Sequence, residues 1–147
     1  MRAAHHDGQD ASRPPPQPAP GLREMSGAQA REQVRRAVHA CAADAPDGAG
    51  AQVEQRLADA QLACSELVSN ARRHGGGLAW FQVRAEGGHV VIEVGDHSSA
   101  LPLSPPRDAL EPGGFGWALV QRLAEKISVE VRPDGRGKII RAHLPVR

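Results

Sequence analysis

The sequence contains no tyrosine, two phenylalanines and two tryptophans, so aromatics reach only 3%. Proteins that hold single-stranded nucleic acid stack its bases on aromatic faces, and this chain has little to offer them. Neither charge is in excess, with 18 Lys and Arg against 17 Asp and Glu. A net charge of +1 argues against direct nucleic-acid binding by a broad basic surface. Cysteine is equally scarce. Cys41 and Cys64 both fall within apolar helical patterns. They read as small core residues of a reduced, cytoplasmic protein rather than a disulfide framework. No apolar run approaches the roughly 18 residues that a membrane span needs. Met1 to Pro20 lack an apolar stretch of the kind found in secretory signals, so none is expected.

What is present suffices for one domain. A chain of 147 residues, 40% of them hydrophobic, can bury a core, here built of aliphatic side chains and alanine. Residues 1–25 stand apart. They carry the run Pro14-Pro15-Pro16-Gln17-Pro18-Ala19-Pro20 and few large apolar side chains, as a disordered or polyproline-II tail does. The domain is expected over 26–147. Ser26 and Gln29 have capping-box spacing, and Ala30, Val34, Ala37, Val38 and Cys41 then form one helical stripe. The segment 44–48 breaks that helix. A second is expected from about Ala49 to Arg73, ended by Gly75-Gly76-Gly77 through a left-handed cap.

The period then changes. Leu78 to Ala85 and His89 to Gly95 read as strands joined at Gly87-Gly88. Four prolines between 97 and 113 mark a long surface loop, and such loops are often functional. A third helix is expected from Gly114 to about Lys126. The last strands are Ile127 to Val131 and Lys138 to Leu144, around a Pro133-Asp134-Gly135 turn. The class is α/β in the α+β sense. It is a two-layer sandwich, a mostly antiparallel mixed sheet covered on one face by helices.

Three constellations carry chemistry. Glu66 and Asn70 are four residues apart, so both project from one helix face, followed by His74. Asp96 ends a β-branched strand at the mouth of the long loop, where a fixed carboxylate can accept from an exocyclic amine such as that of adenine. Gly114 and Gly116 open a helix whose N–H groups, free of Cβ obstruction, can hold phosphate. Each alone has a bland counterpart: solvated side chains, a turn former, a plain loop-to-helix junction.

Their order and spacing resemble the GHKL ATP-binding superfamily of gyrase, histidine kinases and mismatch-repair ATPases. The run ELVSNARRHGG looks like the N box of the anti-sigma-factor serine/threonine-protein kinase family, in its actinobacterial regulator type. VIEVGDHSSALP and GGFGWALVQRLAEKISVEV look like its two glycine boxes. The resemblance spans about residues 28–147. It implies ATP and Mg²⁺ as cofactors, with Asn70 on the metal and Glu66 as the base toward an attacking hydroxyl. Asp96 would take the adenine amine, and Gly114 and Gly116 would shape the phosphate lid. His74 would lie near the phosphates or serve as a helix cap. It implies a sigma factor or its antagonist as partner, no membrane, and a homodimer as a possible state.

Three departures bear on activity. Ser98 replaces the glycine of the first box, Ile139 stands where a threonine beside adenine is usual, and no first strand precedes Ser26. An active kinase and a nucleotide-binding switch without catalysis are therefore both in view. A sensor histidine kinase fragment is disfavoured, since no dimerisation helix with a phosphoacceptor histidine lies upstream. A purely structural domain is the remaining alternative.

Overall fold

The computed structural model describes residues 21, 22, 24–102 and 116–147. Their elements run α1 (Gly27–Ala42), α2 (Gly50–His74), β1 (Leu78–Glu86), β2 (His89–Asp96), α3 (Gly116–Leu123), β3 (Lys126–Val131) and β4 (Lys138–Pro145). The proline-rich run of the expected tail, the loop prolines from 105 to 112 and Gly114 lie outside the described residues.

Local chemistry sets the helix ends. Ser26 accepts from the Gln29 N–H at 3.0 Å, and the Gln29 side chain accepts from the Ser26 N–H at 2.8 Å. That reciprocal pair is the expected capping box. Structure nevertheless begins before Ser26, because Leu22 is packed into the core. The three glycines end α2 as expected, though not all of them are left-handed. Gly75 has φ −99°, an ordinary value, and the left-handed residues are Gly76 and Gly77. Gly75 is needed for room instead, as the site shows below.

The helix expected from 114 to 126 is shorter, because Lys126 already pairs with His143 as the first residue of β3. The four strands form one sheet in the order β1-β2-β4-β3. All three pairings are antiparallel, so the mixed sheet anticipated from the sequence has no parallel pair among the described residues. No strand precedes α1 among the described residues, and β1 is an edge strand.

Strand alternation divides the side chains between two faces. On β4 the buried residues are Lys138, Ile140, Ala142 and Leu144, every second position. On β2, Val90, Ile92 and Val94 join them in one core with Val34, Val38, Cys64, Leu67 and Val120 of the helices. On β1 the phase shifts at a bulge between Leu78 and Trp80. Leu78 faces the helices, and beyond the bulge Phe81 and Val83 do so.

The opposite face is polar. Glu93 there accepts from Trp80 Nε1 at 3.0 Å and from Arg141 Nε at 3.1 Å, and also pairs with Arg84. Both cysteines are free and buried. Burial pushes the Cys64 thiol up to about 12, which leaves it protonated and inert. No helix among the described residues is long and apolar enough to cross a membrane.

Candidate active site

The site gathers at one end of the sheet, where α2 ends, β2 ends, β4 begins and α3 begins. α2 supplies Glu66 and Asn70. Its intervening residues Leu67 and Val68 are buried, which fixes the helix rotation and leaves Glu66 and Asn70 half-buried beside the core. Asn is a poor helix former, so packing rather than propensity holds it in α2. The Asn70 side chain makes no hydrogen bond to another described residue, and no described cation forms an ion pair with Glu66.

Gly116, the first residue of α3, lies against Glu66. A Cβ at Gly116 would stand 2.2 Å from Glu66 Oε2 and 3.1 Å from its Cδ. A side chain there would displace the Glu66 carboxylate. The contact sets a carboxylate against the positive end of a helix, where negative charge is favoured. Glu66 and Gly116 were singled out from separate parts of the sequence, and the fold joins them directly. His74 is exposed at the last position of α2, and its side chain makes no hydrogen bond to another described residue. With Arg72 and Arg73 it places basic residues in the last turn, where positive charge is favoured.

Asp96 ends β2 with 6% of its surface exposed. Two glycines enclose it. A Cβ at Gly75 would fall 2.5 Å from Asp96 Oδ2, and one at Gly137 would fall 2.3 Å from the Asp96 carbonyl oxygen. His97 N–H donates to the Gly75 carbonyl at 2.9 Å, which ties the end of α2 to the end of β2. Asp96 Oδ1 accepts from the Ser98 N–H at 2.9 Å, and Ser98 Oγ accepts from the Ala100 N–H at 3.2 Å. Every described residue with positive φ is a glycine, so Ser98 occupies the glycine's place without backbone strain.

One neighbour of Asp96 was absent from the sequence reading. Lys138 Nζ donates to Asp96 Oδ2 at 2.7 Å and to the Ser98 carbonyl at 3.2 Å. Both side chains of the pair are buried, at 6% and 8% exposure. Ile139, the residue anticipated beside the base, is on the other face of the sheet. It pairs with Gly95 and Glu130, and its Cγ1 would be 3.4 Å from a Cβ at Gly95. The isoleucine therefore takes nothing from the Asp96 pocket, and the residue in question is Lys138.

Gly75, Gly137 and Lys138 were the residues missed. A strand parity count would have found Lys138, since it shares parity with Ile140, Ala142 and Leu144. The two glycines leave no such trace, because their role arises from contacts across the fold.

A separate cavity of about 610 Å³ lies between Leu22, Met25, the first turns of α1 and Phe81, and none of these residues belongs to the site. Among the described residues no group of three or more His, Cys, Asp or Glu can hold a metal ion by itself.

Among curated proteins, none matches this chain. A family model matches from the capped start of α1 through both halves of the site to nearly all of β4: over residues 26–144 the chain belongs to the histidine kinase-like ATPase domain family.

Proposed function

We propose that the protein is an ATP-dependent serine/threonine-protein kinase of the anti-sigma-factor type, working in the cytoplasm. It would phosphorylate a serine on a small antagonist protein and regulate a sigma factor through that exchange. Family membership supports ATP binding and ATPase- or kinase-type chemistry. The observation that carries the finer reading is Glu66, a half-buried carboxylate four residues before Asn70 and against the start of α3 at Gly116.

The residues fit the nucleotide. Asp96 is a fixed, buried acceptor for a base, held by the cradle of Gly75 and Gly137. The start of α3 offers backbone N–H groups with no Cβ in front of them at Gly116. Asn70 has a free amide oxygen, a hard ligand suited to Mg²⁺. When bound, Mg-ATP supplies the phosphoryl group and the cation that neutralises its charge. The chain's own part in the chemistry falls to Glu66. Its carboxylate can accept the proton of an incoming serine hydroxyl, and the α3 terminus beside it holds it in place.

A second reading has its own observation. Lys138 and Ser98 already satisfy Asp96. A protein whose base acceptor is so occupied can bind nucleotide weakly and act as a partner-titrating switch without catalysis.

Transfer of labelled phosphate from Mg-ATP to an antagonist domain separates the two. The kinase reading expects transfer by the wild type. It expects Glu66→Gln to bind Mg-ATP nearly normally and to transfer roughly a hundredfold or more slower, the scale of a positioned base. A wild type that transfers to no antagonist domain leaves the switch. Equal rates for Glu66→Gln and wild type remove Glu66 as the base.

A further inference from the structure

Lys138 has no role in the reading so far, yet it is the most deeply placed cation of the described site, at 5% exposure. A buried ammonium is costly unless acceptors surround it. It has two, Asp96 Oδ2 at 2.7 Å and the Ser98 carbonyl at 3.2 Å. An ammonium has three donors, so one remains. The pair is also held in place. Gly75 packs against the Asp96 side chain, where an added Cβ would fall 2.5 Å from its Cβ and from Oδ2, and Gly137 packs against its carbonyl oxygen, so the residue is closely confined on those two sides. A base entering here meets the pair, not a lone carboxylate.

This changes what the pocket can tell apart. A carboxylate by itself only accepts. It takes the 6-amino group of adenine and rejects a 6-oxo group, since two acceptors would face each other unpaired. With an ammonium 2.7 Å from Oδ2, acceptor and donor stand side by side. A 6-oxo purine has the matching set, because its O6 accepts and its N1–H donates. Adenine still fits, with its amine donating and its N1 accepting, but the amine now competes with Lys138 for the carboxylate. The ammonium thus lowers the penalty on a 6-oxo base and lowers the gain from a 6-amino base.

We propose that Lys138 is a specificity-determining residue of the nucleotide pocket, and that its ammonium beside the Asp96 carboxylate admits 6-oxo purine nucleotides alongside adenine nucleotides. The proposal rests on the reading of Asp96 as the base contact.

The test is calorimetric titration of the full chain with Mg-ADP and with Mg-IDP, whose base has the 6-oxo group but no 2-amine. Wild type is expected to bind the two within about tenfold of each other. Lys138→Met is expected to widen the ratio in favour of Mg-ADP by about tenfold or more. A wild-type preference for Mg-ADP clearly beyond tenfold overturns the proposal, as does an unchanged ratio in a folded Lys138→Met. Where thermal melting shows Lys138→Met to be unfolded, the wild-type ratio alone decides. Binding of neither nucleotide by the wild type overturns the nucleotide-pocket reading itself, and this proposal with it.

Discussion

Asp96, the base contact in the proposed function, is also part of the buried framework of the fold. Its carboxylate pairs with Lys138 inside the protein, and each partner compensates the other's burial. Asp96→Ala leaves the ammonium with the Ser98 carbonyl alone and is expected to cost about 3–5 kcal/mol, the usual penalty for orphaning one half of a buried pair. Asp96→Ala combined with Lys138→Met removes both charges and should recover most of that loss in chemical denaturation. If the double variant is no more stable than the single one, the pair does not carry the stability assigned to it. The neighbouring glycines act by absence. At Gly137 the obstacle to a side chain is the Asp96 backbone, which cannot yield as a flexible side chain can.

Among elements, the legibility of the fold follows period and punctuation. The capping box at Ser26, the stripe of α1, the buried face of α2 and both hairpins stood in the sequence, because each is a local pattern of spacing or turn chemistry. The insertion of β4 between β2 and β3 was not legible, since partner choice in a sheet is decided by packing far along the chain. The site divides in the same way. Glu66, Asn70, Asp96 and Gly116 were visible as types at a spacing. The contact of Gly116 with Glu66 and the pairing of Lys138 with Asp96 are long-range facts. The polar sheet face carries a further expectation. Burial raises the Glu93 carboxyl, but hydrogen bonds from Arg84, Trp80 and Arg141 outweigh it and hold the group below the usual carboxylate range. A lowered folded value means that this contribution is complete above the unfolded carboxyl range, near about 4.3, and is lost as pH falls through the folded value. Glu93→Gln should therefore lie well below wild type in denaturant midpoint at pH 7, and the gap should narrow toward pH 3. A gap independent of pH would place the effect in shape rather than charge.

At the scale of the molecule, a two-layer sandwich brings three separate stretches of chain to one end of a sheet. α2 gives a carboxylate and an amide, the end of β2 a buried acid, and the start of α3 a helix terminus at a glycine. The residues between them hold these groups at fixed separation, with His97 bonded to Gly75 and Gly116 seated on Glu66. Residues 26–144 belong to the histidine kinase-like ATPase domain family, and in the function proposed here Asp96 is the base contact, the start of α3 the phosphate terminus and Asn70 the cation ligand. The central claim is that these three act as one Mg-nucleotide site. Calorimetric titration of the full chain with Mg-ATP, repeated with the metal chelated and with Asn70→Ala, tests it most directly. The account predicts saturable binding by the wild type that weakens at least about tenfold on either change, because both remove the link between the amide oxygen and the phosphates. Equal affinity in all three titrations would contradict it.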